Sequence, residues 1–329
     1  MIGMPLFNIL KGGVHFGKDF LSFAVVKEAG KGVVIRGCGI VELPKEAVRP
    51  SPVDSNVSSS DEIRTCFKNF FLEYPRLKSL ALSLPDLSAR MIVVEIKGKT
   101  PPPAELNQLI KWNMEQKFIM KIGESRIASQ KIRTSNRSPG PSLTYFGVAI
   151  QKSILSEYEK FPHYFNRLAK MINCASLGLF NLYRHFIERS APSGNFLFLS
   201  VLDCYFTLMV FENSDLAYVR TVALRSEETG NGGAGASPEE LNRLKLANHI
   251  ESVFPYHFQE FQTRSDIKLF ISGLAEIPEE LGQLAEQYRM NNVLLSPRHL
   301  DLPEGSRPFK IEDWSRISPA VAAAAGALV

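Results

Sequence analysis

Gly13-Val14-His15-Phe16-Gly17-Lys18-Asp19 is the stretch on which the reading of this chain turns. Hydrophobicity alternates from Val14 to Val26 about Gly17, which predicts a strand, a tight turn and a second strand. Glycine at such a turn lets backbone N–H groups approach an anion that a Cβ would hold away. A third strand is expected at Gly32 to Val41, and the Ser- and Pro-rich run from Arg49 to Asp61 is a loop. Ile63, Cys66, Phe67, Phe70 and Phe71 then recur at helical spacing, with Ser60 or Asp61 as the cap. Leu80 to Leu84 is a short apolar strand that stops at Pro85.

The next segment has a different character. Ala89 to Ile96 alternates as a strand, Pro101 to Pro103 break the chain, and Glu105 to Phe118 reads as a helix. Ser125 to Arg133 and Leu143 to Ile150 read as a strand pair. Two helices are expected next, at Ile154 to Ile172 and Leu179 to Glu188. A second α/β unit opens with Phe196 to Val210 and Leu216 to Val222, parted by the turn Glu212-Asn213-Ser214-Asp215. Its remaining parts are a glycine-rich loop at Gly230 to Ser237, a helix at Pro238 to Val253, a strand at Ile267 to Ile271 and a helix at Pro278 to Tyr288. A small-residue helix, Ser318 to Leu328, ends the chain. Two units that both open on strand–turn–strand make a weak duplication. The expected division is 1–85 with 152–194, closed by 317–329, as a first half; 86–151 as an insertion; and 195–316 as a second half, with 227–265 as its smaller part.

Composition narrows the function classes. At 329 residues the chain is long enough for about two domains, and 45% hydrophobic content is ordinary for a globular protein. No stretch approaches the roughly 20 apolar residues of a membrane span. Met1 to Leu10 is apolar but lacks the basic start and small-residue cleavage site of a secretory signal. Cys38, Cys66, Cys174 and Cys204 form no CxxC pair, which fits a reducing cytoplasm. The six histidines show no HxxxH or HExxH spacing, so no metal site is expected. Between Lys97 and Arg137 nine basic residues face three glutamates, an excess of +6 within a chain of net charge +4. That segment is either a solvated basic face or one that attracts an acidic peptide or anionic headgroups. Nucleic acid is not expected, because no binding motif accompanies the charge.

Taken in order, these segments resemble the PilM family of type IV pilus assembly proteins, within the actin-like superfamily. The Gly13 to Asp19 hairpin is similar to the family's first phosphate loop, Gly-Ile-Asp-Ile-Gly. Leu84-Pro85 resembles the entry into its inserted subdomain, and Glu105-Leu106, Ile110-Lys111-Trp112 and Glu115-Gln116 resemble that subdomain's helix. Leu202-Asp203-Cys204-Tyr205 falls where the second phosphate loop is expected, and Phe270 to Ala275 falls on the adenosine turn. Ala320 to Leu328 looks like the closing helix. The resemblance implies an α/β actin-like fold of two related RNase H-like halves with a small inserted α+β subdomain.

It also implies a degenerate nucleotide cleft at His15, Gly17, Lys18, Asp203 and Gly273. His15 stands where the family has an Asp, and a neutral imidazole does not hold hydrated magnesium as a carboxylate does. Tyr205 replaces a glycine whose place its ring would fill, and Leu274 replaces the second glycine of the adenosine turn. ATP and magnesium are therefore disfavoured, no cofactor is expected, and no catalytic residue is assigned. The resemblance then implies a cytoplasmic scaffold, peripheral at the inner membrane, that binds the tail of a PilN-like membrane protein and other platform proteins. Arg90, Val93, Leu109 and Trp112 are its expected partner-binding residues, and Lys117, Lys121 and Arg133 are expected to face the membrane, which the chain reaches only indirectly. Assembly with further copies of itself stays open. The rival readings are an active actin-like ATPase and the cytoplasmic part of a GspL-like type II secretion protein.

Overall fold

A computed structural model describes residues 10–29, 32–97, 101–118, 122–135, 142–224, 238–258, 267–300, 302, 306 and 309–327. The alternation about Gly17 becomes an antiparallel meander of β1 (Leu10–Phe16), β2 (Phe20–Ala29) and β3 (Gly32–Glu42). β4 (Ser79–Leu84) joins parallel to β1, and β8 (Leu168–Cys174) parallel to β4, giving the order β3-β2-β1-β4-β8. The second sheet repeats this plan. β9 (Phe196–Leu202), β10 (Tyr205–Glu212) and β11 (Asp215–Ala223) form the meander, β12 (Ile267–Ser272) and β13 (Met290–Leu294) add in parallel, and the order is β11-β10-β9-β12-β13. Asn213 and Ser214 both take left-handed φ, 53° and 68°, as a tight turn between β10 and β11 needs.

Five layers follow from which face each strand residue presents. Val14, Phe16, Leu21, Phe23 and Val25 bury against α1 (Ser60–Glu73) and α3 (Lys152–His163) on the outside of the first sheet. Leu197, Leu199, Phe206 and Leu208 bury against α5 (Pro238–Phe258) and α6 (Glu279–Tyr288) on the outside of the second. α4 (Ala175–Ser190) and α7 (Trp314–Gly326) share one core with residues of both sheets, including Ala24, Val26, Phe198 and Phe270. A three-stranded sheet, β5-β7-β6, forms the insertion from β5 (Arg90–Lys97), β6 (Ser125–Ser135) and β7 (Ser142–Gln151). Its helix α2 (Pro103–Lys117) buries Ile110 and Met114 against Ile92, Val94 and Tyr145.

Four local readings change, the first being the run expected from Phe196 to Val210, which is two antiparallel strands, β9 and β10, turned at Asp203-Cys204. The helix expected from Ile154 to Ile172 ends at His163, and its second part is strand β8. Pro162 and the left-handed Asn166 (φ 53°) stop the helix, and β4 supplies the partner that makes a strand of a run of ambiguous period. β13 was not foreseen, because Asn291 and Asn292 dilute its apolar pattern; pairing with β12 decides it. α1 begins at Ser60 itself, and its cap position, Ser59, makes no side-chain cap bond. The Gly230 to Ser237 loop lies outside the described residues.

α7 comes so close to β1 that a Cβ on Gly13 would stand 2.0 Å from the carbonyl oxygen of Ala320. Gly13→Ala therefore forces two backbones apart and is expected to destabilise by about 3 kcal/mol, in the upper range for overpacking. Gly39, on β3 of the same sheet, has nothing within 4 Å of its would-be Cβ. Denaturant melts of Gly13→Ala and Gly39→Ala check this, with little change expected for the second.

Candidate functional site

The candidate cleft lies where the two hairpin turns meet. On the first turn, the Gly17 N–H donates to the Phe20 carbonyl at 2.9 Å. A Cβ on Gly17 would stand 2.3 Å from the Phe20 ring, so the glycine is needed because this ring folds over its own turn. The Arg316 guanidinium lies 4.1 Å from the centre of the same ring and pairs with both oxygens of Glu42 at 2.8 Å. The Lys18 N–H crosses to the second half and donates to Asp203 Oδ2 at 3.2 Å. Lys18 Nζ is 3.8 Å from Glu46, and Asp19 accepts the Glu46 N–H. The Gly17 and Lys18 N–H groups of the first turn are thus engaged with the protein itself.

His15 is buried beside Ser83, its partner across the parallel β1–β4 pair. Its Nδ1 lies 3.2 Å from both the carbonyl oxygen and Oγ of Ser83, and an Nδ1–H donates to the carbonyl. Burial pushes the imidazole down to about 4, although the Ser83 carbonyl favours the protonated ring. His15 is therefore neutral near pH 7.

Asp203 stands at the cleft mouth. The surrounding protein displaces water and pushes its carboxyl up, while the Lys18 N–H and Arg316 pull it down. Gly273 takes φ +93°, and a Cβ there would stand 1.8 Å from the Val201 carbonyl oxygen. Strand packing between β9 and β12 is sufficient reason for this glycine. Leu274 packs into the α5–α6 core. Tyr205 is a correction: it faces the joint core with Met209 and Phe211 and does not line the cleft, because it occupies the inward position of β10. Val201, Leu202, Asp203, Leu224, Gly273, Ser315 and Arg316 enclose about 190 Å³. Small-molecule sites commonly offer about 300–1,000 Å³.

Sequence reasoning missed two residues here. Arg316 sits in the last helix with no motif to mark it. Asp86, fully buried, accepts the Ser176 N–H at 3.2 Å at the start of α4 and the Ser176 hydroxyl. It also accepts the Thr207 hydroxyl of β10 at 2.6 Å, which ties the two halves together. Burial pushes its carboxyl up against those bonds.

The expected partner and membrane residues do not converge. Trp112 is 57% exposed on α2, and Leu109 is half-buried on the same stripe. Val93 lies on the other face of β5, packed against the core shared by the two halves, because strand alternation sets it opposite Ile92 and Val94. The Arg90 guanidinium covers the Phe118 ring at 5.6 Å. Lys117 is exposed, and Lys121 lies outside the described residues. Arg133 faces Asp215 of the second half at 3.9 Å, which turns it from solvent toward β11. Among the described residues no cluster of His, Cys, Asp or Glu could hold a metal ion, and no helix is long and apolar enough to cross a membrane.

Two sheets of identical order, stacked about a shared helical layer with their first hairpins facing each other, define an actin-like fold. An ATP and magnesium site here would need a carboxylate on the first hairpin and free backbone N–H groups at its turn. His15 is no carboxylate, the Gly17 and Lys18 N–H groups are occupied, and the cleft is small. No family model matches the sequence, and no curated protein does. Among solved structures the chain is similar to the "PilM-PilN type IV pilus biogenesis complex", at 16% identity over 97% of each chain with a TM-score of 0.67. A Bacteroides thetaiotaomicron protein "with actin-like ATPase fold and unknown function" is 14% identical over 89% of this chain and 94% of its own, with a TM-score of 0.49. The cytoplasmic domain of EpsL, an inner-membrane component of the Vibrio cholerae type II secretion system, is 8% identical over 96% and 94%, with a TM-score of 0.48.

The buried histidine sets a pH dependence. Its folded pKa, about 4, lies below the unfolded 6.5, so the unfolded chain binds the extra proton between those values. Its contribution to stability is full above pH 6.5 and is lost as pH falls toward 4, by up to roughly 3 kcal/mol. Urea melts at pH 7, 5.5 and 4.5 should show a steeper acid loss in the wild type than in His15→Gln. Parallel slopes would contradict a neutral buried His15.

Proposed function

We propose that this chain is a non-catalytic adaptor of a type IV pilus or related secretion platform, held at the cytoplasmic face of the inner membrane by the tail of a PilN-like protein. The observation that carries the reading is the likeness, over 97% of both chains, to a protein solved in a PilM–PilN complex. The cleft supports the non-catalytic part. Its hairpins bond to each other through Lys18 and Asp203, and a neutral histidine takes the place of a metal-holding carboxylate. The work of such a protein is binding.

A short tail is best held along a strand edge or in a groove that takes alternate side chains. On α2 the exposed Trp112, with the half-buried Leu109 on the same stripe, offers an aromatic anchor for such a tail, whereas Val93 does not. The chain has two tryptophans, and Trp314 is buried with its Nε1–H on the Tyr183 hydroxyl at 2.6 Å. Fluorescence therefore reports chiefly on Trp112 when its surroundings change. Titration with N-terminal tail peptides of PilN-like proteins should shift its emission, and Trp112→Ala should weaken binding by about 1–2 kcal/mol. Purified protein should show no magnesium-dependent ATP turnover above background. Turnover abolished by Asp203→Ala would overturn the non-catalytic reading, and failure to bind any such tail would overturn the adaptor reading.

A further inference from the structure

The outer face of the first half, on the far side of its sheet from the cleft, carries a second charged surface. α1 sorts its side chains into two stripes. Cys66, Asn69 and Glu73 line a shallow pocket with Cys38 and Val41 of β3, and Glu62 is near enough to Cys66 to help push that thiol up. Arg64, Lys68 and Leu72, four residues apart and all exposed, run down the other side, toward α3 and β8. The helix thus carries Arg64 and Lys68 on one side, where Asp61 of its first turn stands with them, and Glu62 and Glu73 on the other.

The basic stripe continues across three neighbouring elements. The Arg64 guanidinium lies 5.1 Å over the ring of Tyr164 at the end of α3. Arg167 lies 5.5 Å over the Phe71 ring and donates to the Pro75 carbonyl at 3.1 Å. The Phe71 and Phe165 rings are 5.6 Å apart, and the Leu168 N–H donates to the Lys78 carbonyl at 3.4 Å. Arg76, Lys78 and Lys170 stand exposed along this path. No acidic residue occurs from Tyr74 to Leu84 or from Lys160 to Cys174, and Glu73 and Glu159 directly precede the two stretches. Among these cations three large apolar side chains face solvent: Leu72 at 70% exposure, Leu168 at 60% and Tyr164 at 52%.

Lys170 on its own has a simple account. It sits at the β8 bulge opposite Leu80–Ala81, on the free edge of the sheet, where a lysine prevents pairing with another chain. That account does not extend to two exposed leucines and a tyrosine set among arginines. Basic heads with apolar side chains between them match an anionic bilayer, where the cations meet phosphate headgroups and Leu and Tyr enter the interface. We propose that this surface, formed by α1, the Tyr74–Lys78 turn, the end of α3 and β8, docks directly on an anionic lipid surface. The inference goes beyond the tail-binding reading and stands or falls separately from it.

Co-sedimentation of the full chain with phosphatidylcholine vesicles, with and without phosphatidylglycerol, tests the proposal. Binding is expected to the anionic vesicles, to fall as salt rises, and to be absent from the neutral ones. Lys68→Glu, Arg76→Glu and Lys78→Glu together change no ring contact and should weaken binding about tenfold or more. Lys97→Glu, Arg126→Glu and Lys131→Glu change the net charge equally on the inserted sheet, and should leave binding near the wild-type value. Leu72→Ser with Leu168→Ser should weaken it with no change of charge, and circular-dichroism melts confirm that each variant is folded. Failure of the wild type to bind anionic vesicles, or equal loss in both charge-reversed variants, would overturn the proposal. So would binding to polyglutamate but not to vesicles, if the first triple variant abolished it; the face would then belong to an acidic protein.

Discussion

The contact between α7 and β1 is the constraint on which the rest of the molecule depends. A helix whose inward residues include Ala320 and Ala324 lies on a strand that offers Gly13 at the point of approach. Without side chains between them, the two backbones come within reach that a single Cβ would close. The same helix packs against α4 and sends Trp314 to the Tyr183 hydroxyl. The end of the chain therefore completes the core of the half that begins it. The central layer of α4 and α7 then serves both sheets, and neither half has a full core without it.

From that layer the cleft takes its character. A nucleotide site needs an opening between the hairpins, N–H groups free to meet phosphate, and a carboxylate placed for a metal ion. Here Phe20 folds over Gly17, Arg316 covers Phe20, and the Lys18 N–H crosses to Asp203. Beneath, Asp86 gathers hydroxyls from both halves in a site from which water is excluded. Removing one partner from such a buried set costs more than the bond itself was worth, since the other groups are left without their partners. These bonds favour a fixed relation between the halves over a cleft that opens and closes on a ligand.

The insertion is bound into this arrangement as well. Val93 and Arg133 both turn toward the second half, one by packing and one by charge. Its basic excess is therefore spread over several directions, with Lys117 in solvent and Arg133 against Asp215. A count of charges along a segment does not define a face; the direction of each side chain does. The α1–β8 surface makes the converse point. Its cations come from stretches far apart in sequence and become one surface only through ring contacts across α1, α3 and β8.

Hydrophobic period alone determined most elements, because β1 and β2 alternate about Gly17 and α1 repeats at helical spacing, whereas β9 and β10, buried on both faces, form one apolar run that hides the turn at Asp203-Cys204. The motif order was enough to point to the actin-like fold, and His15 was legible as a departure since a single residue type decides whether a carboxylate is present. Tertiary structure decided the rest. β8 and β13 are strands because β4 and β12 offer them edges, and the two asparagines of β13 or the mixed run at Leu168 to Cys174 carry no such instruction. Gly17 and Gly273 read as ligand glycines in sequence, yet Phe20 and the Val201 carbonyl already require them. Asp86 and Arg316 were invisible because their meaning lies in partners 90 to 294 positions away. Local pattern records what a segment prefers; which groups lose water together, and so which must satisfy one another, is settled only when the chain is packed.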